Sequence, residues 1–225
     1  MCLADLQKAI VDWKLNTKRP FSNFGTREIE AGTLAGLNQS WPDLEVATVA
    51  LDELKHRART NSYIARNCIE TRLDEIGHQQ IPWLFKTRER LKVLAFEDKP
   101  NQNYTTSLYV ILRDGYTEQN GRYGVYVGQT KNKPEHRFKE HVTGVNAGKG
   151  LKQNGMHLMR SLMWPWQKVP GAKRFYYESA LHKALEIGNI AELKVTGDVV
   201  PIEEWPENFQ TKLRKYIKST IESEQ

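Results

Sequence analysis

Long apolar runs are missing from this 225-residue chain. No stretch approaches the ~18 residues that a bilayer-crossing helix needs, so no membrane span is expected. The opening residues, Met1-Cys2-Leu3-Ala4-Asp5-Leu6, hold neither a basic cluster nor an apolar segment of leader length, which argues against secretion and for a cytoplasmic protein. Cysteine is scarce as well. Cys2 and Cys68 are too few for a disulfide framework and wrongly spaced for a zinc site, and they read as reduced thiols. Internal repeats and low-complexity tracts are absent. What remains, at 39% hydrophobic residues, is a chain able to bury the core of one ordinary domain and a smaller second element.

Acidic residues are missing from one region in particular. Residues 1–103 carry 15 Lys+Arg against 14 Asp+Glu, residues 104–174 carry 12 against 4, and residues 175–225 carry 6 against 9. The formal +6 of the whole chain is therefore concentrated in its middle, where a polyanion would have to dock.

That middle block has a distinctive pattern. Two runs of β-branched and aromatic residues, 108–112 and 123–127, flank a polar stretch with Asp114, Gly115, Asn120 and Gly121, the signature of a long-looped hairpin. Each strand carries a tyrosine near its centre, Tyr109 and Tyr126. Gly128-Gln129-Thr130 follows, then Asn132 as a helix cap and Pro134 in the first turn, and a helical run that sets Arg137 and His141 four residues apart on one face. Between Glu140 and Glu186 the only acidic residue is Glu178.

This arrangement resembles the GIY-YIG endonuclease superfamily over roughly residues 104–190. Leu108-Tyr109 stands where the family has Gly-Ile-Tyr, and Tyr126-Val127-Gly128 matches Tyr-Ile-Gly. Thr130, Lys131, Lys133 and Arg137 occupy the places of the following hydroxyl, basic residues and helix arginine, and Glu178 that of the metal-binding glutamate. The Arg137-x-x-x-His141 spacing and the N-terminal extension look most like the restriction-endonuclease branch.

The resemblance implies an α+β fold: a small nuclease core of about three strands, mixed or antiparallel, with flanking helices. It implies metal-dependent hydrolysis of double-stranded DNA, with Tyr109, Tyr126, Arg137, His141 and Glu178 catalytic. Gly128, Thr130, Lys131 and Asn189, which fits the family's late asparagine, are supporting. Tyr109 is expected to activate water and Tyr126 to position it or the phosphate, although the two roles are interchangeable at this stage. Glu178 is expected to hold Mg²⁺, or Mn²⁺ in its place, because Mg²⁺ takes one or two carboxylates and keeps several waters. A palindromic target would call for a homodimer. A repair or mobile-element endonuclease, or a DNA-binding protein of the same fold without activity, are the alternatives.

The rest of the chain reads as a helical N-terminal arm over 1–100 that clamps DNA, the nuclease core over 104–195, and a connector with a basic amphipathic helix over 196–225. Within the arm, apolar spacing predicts helices over 3–13, over 43–59 with Asp43 as cap, and over 62–76 with Ile64, Ile69, Leu73 and Ile76 on one face and Arg66 and Arg72 on the other. Residues 21–42 read as irregular, 82–96 as either helix or strand, and 98–103 as a linker. Met156, Leu158, Met159, Leu162 and Met163 suggest a helix face, Trp164-Pro165-Trp166 its end, and Phe175-Tyr176-Tyr177 a third strand or the lead into the Glu178 helix. Phosphate contacts are expected from Lys133, from Lys149 and Lys152 in a loop, and from Lys212, Arg214, Lys215 and Lys218 on the last helix.

Overall fold

The computed structural model describes residues 2–13, 19–91, 104–115, 122–144, 147–148, 150–163, 168–188 and 193–222. The chain divides into two compact units, Met1–Leu84 and Phe85–Gln225. Among the described residues no helix is long and apolar enough to cross a membrane. The linker expected at 98–103 and the tryptophans at 164 and 166 lie outside the described residues.

The first unit contains α1 (Leu3–Val11), α2 (Thr26–Leu37), α3 (Leu44–Arg57) and α4 (Thr60–Glu75). Asp43 caps α3 as its position suggests, its Oδ1 accepting the Val46 N–H at 3.2 Å. α2 overturns the reading of 21–42 as irregular. Its buried positions are Ile29, Gly32, Thr33, Gly36 and Leu37, so the glycines that read as loop punctuation are notches for close helix packing. A Cβ on Gly32 would come 2.7 Å from Leu6 Cδ1, and one on Gly36 would come 2.9 Å from Leu3 Cδ1. α3 ends at Ala58, which sits in the left-handed region at φ 47° and turns the chain directly into α4. The face that α4 buries is Ser62, Ala65, Ile69 and Leu73. Ile64 is 54% exposed, so the expected apolar stripe is displaced by small residues that pack closer.

At the boundary lies α5 (Leu84–Leu91), which settles the described part of the helix-or-strand alternative at 82–96 as helix; residues 92–96 lie outside the described residues. The second unit then builds a four-stranded mixed sheet of order β3-β1-β2-β4 from β1 (Ser107–Arg113), β2 (Gly124–Thr130), β3 (Gly155–Leu158) and β4 (Val195–Thr196). β1 pairs antiparallel with β2 and β3, and β2 pairs parallel with β4. Arg122 closes the hairpin base with a two-bond grip on Asp114, both at 3.0 Å.

Helices α6 (Pro134–Thr143), α7 (Leu151–Asn154), α8 (Arg160–Met163), α9 (Arg174–Gly188) and α10 (Glu207–Glu222) complete the unit. Lys133, not Asn132, is the N-cap of α6; Asn132 instead donates its N–H to Thr130 Oγ1 at 3.0 Å, closing the turn out of β2. The expected helix over 156–163 is strand β3 followed by the short α8. Four consecutive buried residues do not distinguish the two periods. Phe175-Tyr176-Tyr177 forms the first turn of α9, where Tyr177 is buried edge-on against Phe209 of α10 at 4.8 Å between centroids. Phe209, Leu213 and Tyr216 are the buried face of α10, and the Tyr216 hydroxyl donates to the Ala184 carbonyl at 2.9 Å.

Candidate active site

β-Strand alternation places Tyr109, Ile111 and Arg113 on one face of β1 and, opposite them in register, Gly128, Tyr126 and Gly124 of β2. Tyr109 lies directly across from Gly128 and diagonal to Tyr126, whose ring is near parallel to its own with centroids 6.2 Å apart. Gly128 is required by this packing: a Cβ there would come 2.5 Å from Tyr109 Cζ and closer still to its hydroxyl.

The C-terminal turn of α6 lies over the two phenols. His141 is fully buried, 5.7 Å and 5.5 Å by centroids from Tyr109 and Tyr126. Its Nδ1 accepts the Gly148 backbone N–H at 2.9 Å, and its Nε2 is 2.7 Å from the Tyr109 hydroxyl oxygen. A backbone amide can only donate, so Nδ1 carries no proton and Nε2–H donates to Tyr109. His141 is thus a neutral donor. Burial first, and the Arg137 guanidinium second, depress its pKa to about 4, in keeping with that tautomer.

Arg137, one turn earlier on α6, is held by Glu140, its Nη1 donating to Oε2 at 2.8 Å. Tyr109 is only 1% exposed. Burial, then the neighbouring Tyr126, raise its pKa, and Arg137 opposes that rise. Tyr126 is half-buried, and its pKa is raised by burial and then by the carboxylates of Glu178 and Asp198.

Glu178 comes from the first half of α9 and is 4% exposed. Burial, reinforced by Asp198, pushes its pKa up to about 8. Among the described residues it has no hydrogen-bond partner. A buried carboxyl left in that state is a position where a cation would relieve the cost of ionisation. The described residues hold no group of three or more His, Cys, Asp or Glu around one point. Glu178 with Asp198 nearby supplies the one or two carboxylates that Mg²⁺ ordinarily takes, so the donor set fits that ion.

A cleft of about 760 Å³ opens beside the cluster, lined by Tyr126, Arg113, His182, Lys194, Thr196 and Asp198 among others. Arg113 Nη1 donates to Thr196 Oγ1 at 2.8 Å, and Thr196 Oγ1 to the Val125 carbonyl at 3.1 Å, which ties the short β4 to the sheet. His182 is 7% exposed, its pKa lowered by burial, and its Nδ1 is buried without a hydrogen-bond partner.

The structure therefore brings together Tyr109, Tyr126, Gly128, Arg137 and His141, with Glu178 close enough to perturb both phenols. Thr130 serves the turn, and Lys131, Lys133 and Lys152 are exposed. Lys149 and Asn189 lie outside the described residues. Lys212, Arg214, Lys215 and Lys218 sit on α10, and none of them lines the cleft.

Sequence reasoning passed over Arg113, His182, Asp198 and Gly148. Two had a legible signal: Arg113 is four strand residues from Tyr109 and so on its face, and His182 is one helical turn from Glu178. Asp198 and Gly148 reach the site only through tertiary contacts. Against known proteins, no family model, no curated protein and no solved structure matches the chain.

Proposed function

We propose that the protein is a metal-dependent endonuclease that hydrolyses phosphodiester bonds of double-stranded DNA at a defined site, as a type II restriction enzyme does, in the cytoplasm and as a homodimer on a palindromic target. The observation that carries this reading is the convergence of two phenols, a guanidinium, a neutral imidazole and a buried carboxyl beside a cleft.

Hydrolysis by in-line attack needs a proton acceptor for water, donors for the charge on the phosphate oxygens and support for the departing 3′-oxygen. Arg137, pre-aimed by Glu140, presents its planar donor fork to a non-bridging oxygen. Tyr126 lines the cleft whereas Tyr109 is sealed behind it, so Tyr126 is the phenol that meets the water. Tyr109, its oxygen held by His141 Nε2–H, positions Tyr126 from behind. This exchanges the roles expected from the sequence, and the reason is exposure. Glu178, with Asp198 beside it, would hold Mg²⁺ or Mn²⁺, which when bound polarises the phosphoryl group and stabilises the leaving oxygen.

Run-off sequencing of plasmid digested by the purified protein in Mg²⁺ tests the reading. Discrete ends at one short sequence are expected. Cuts that follow DNA structure instead would indicate a repair or mobile-element enzyme, and binding without cuts would indicate a protein that keeps the fold without the reaction.

A further inference from the structure

The cleft beside the tyrosines holds polar chemistry that the reaction above leaves unused. Arg113, Lys194, His182 and Thr196 line it, and Asp198 is the one carboxylate among its described lining residues. Two cations against one anion leave the cleft net positive. Arg113 is held rigidly. It is 7% exposed and keeps its charge at any pH at which proteins fold. Its Nη1 donates to Thr196 Oγ1, and that hydroxyl donates onward to the Val125 carbonyl, so the guanidinium is anchored to β4 and through it to β2. Gly150 makes room for it, since a Cβ there would come 2.5 Å from Arg113 Nη2. Lys194, just before β4, is exposed and supplies the second charge from the solvent side.

His182 is the uncharged member of the set, one turn after Glu178 on α9. The residue is 7% exposed, and its Nδ1 is buried without a hydrogen-bond partner. The part of the ring that lines the cleft is therefore its far edge, which carries Nε2. A neutral imidazole has one N–H and one lone pair. An orphaned buried N–H is rarer in folded proteins than an acceptor left unfilled, so the lone pair belongs on the sealed Nδ1 and the proton on Nε2. A histidine kept for packing alone would find partners for its nitrogens in the core. Here one nitrogen has none, and the other offers a donor to the cleft.

We propose that this cleft seats a phosphate of the DNA strand one nucleotide away from the bond that is cut, with His182 Nε2–H and Lys194 donating to its oxygens and Arg113 holding fixed charge behind them. A phosphodiester presents acceptors and one negative charge, which complements two cations and a neutral donor. The cleft measures about 760 Å³, inside the ~300–1,000 Å³ of small-ligand sites and more than a lone anion fills, so sugar and base have room beside the phosphate. Tyr126 lines the same cleft and joins this seat to the position where water is activated. This assignment rests on the nuclease reading for the identity of the strand, and on the cleft itself for the chemistry of the ligand.

Titration calorimetry of the full-length protein in EDTA with thymidine 3′,5′-bisphosphate tests it with neither cation nor turnover. The bisphosphate should bind, and thymidine and inorganic phosphate should each bind at least about 10-fold more weakly. Lys194→Met and His182→Ala should each weaken the bisphosphate by roughly 10-fold, whereas His182→Gln, whose amide keeps a donor, should retain most of the affinity. Circular dichroism verifies each fold, and the exposed Lys194 keeps the test decisive should a His182 variant unfold. Unchanged binding in Lys194→Met, equal losses in His182→Ala and His182→Gln, or inorganic phosphate binding as tightly as the bisphosphate overturns the proposal. A protein that cuts plasmid DNA yet gives one of those results loses the phosphate seat and keeps the nuclease reading. One that shows the expected pattern without cutting DNA keeps the seat and loses the nuclease reading.

Discussion

A neutral imidazole pinned between a backbone amide and a phenol behaves as a fixed donor, and this sets what the two tyrosines can do. With its Nδ1 lone pair occupied, neutral His141 has no free site to receive a proton from water, so in the proposed nuclease the pH dependence of cleavage would fall to the phenols and Glu178. Both phenols are held above the ordinary tyrosine range. Single-turnover log rate at saturating Mg²⁺ is expected to rise with pH, to keep rising in Tyr109→Phe at a lower level, and to flatten in Tyr126→Phe after a loss of ~10²–10⁴ in rate. A rising limb that persists in Tyr126→Phe and vanishes in Tyr109→Phe would return the base to Tyr109.

Glu178 makes a prediction free of activity. Its folded-state pKa of about 8 stands above its ordinary 4.5, so the folded state binds more protons between those values. Its contribution is then fully present below pH 4.5 and is lost as pH rises toward about 8. His141 and His182 act in the opposite sense, costing stability as pH falls from 6.5 toward the depressed value, about 4 for His141. Above pH 6.5 Glu178 acts without them. Metal-free Glu178→Gln should therefore gain ~2 kcal/mol on wild type between pH 6.5 and 8, at about 1.4 kcal/mol per pH unit, in urea melts. Equal stability differences at both pH values would mean that the carboxyl is ionised throughout.

At the scale of elements, the β1–β2 pair is where residue identity and register meet. Gly128→Ala puts a methyl group into the Tyr109 ring, which is only 1% exposed. The expected result is a stability loss of ~1–3 kcal/mol by thermal melt together with a fall in cleavage of at least ~10²-fold, because the displaced ring carries the phenol with it. Near wild-type cleavage in this variant would separate Tyr109 from the reaction.

The same scale explains what the sequence discloses. The hairpin, the Arg137–His141 helix face and the Asp43 cap are written in local spacing, so they can be read directly. Gly32 and Gly36 of α2 mislead because glycine means a turn in one setting and a packing notch in another, and only Leu3 and Leu6 decide which. Ile64 misleads because apolar spacing alone ranks it above Ser62 and Ala65, the small residues that the α4 interface takes. β4 is two residues long and acquires its meaning, with Asp198 just beyond it, from pairing with β2.

For the whole molecule, charge is the quantity that matters. The exposed cations of α10 are Arg214, Lys215 and Lys218, with Lys212 half-buried, and the opposite face of that helix is fixed on α9. Reversing all four to glutamate should weaken duplex binding and flatten its salt slope while leaving the cleaved sequence unchanged, as read by anisotropy titrations at several salt concentrations. An unchanged slope would assign α10 to folding or dimerisation.

The Gly148 amide has one more consequence. Its hydrogen is held by the lone pair that His141 surrenders when the ring becomes a cation, so amide hydrogen exchange at this single position reports the charge of a side chain seven residues before it. As the solution is acidified through about 4, protection at Gly148 relative to a free amide at the same pH should disappear while the strands stay protected. The tyrosine–histidine cluster thereby carries its own internal gauge, one that can be read with no DNA, no metal and no turnover.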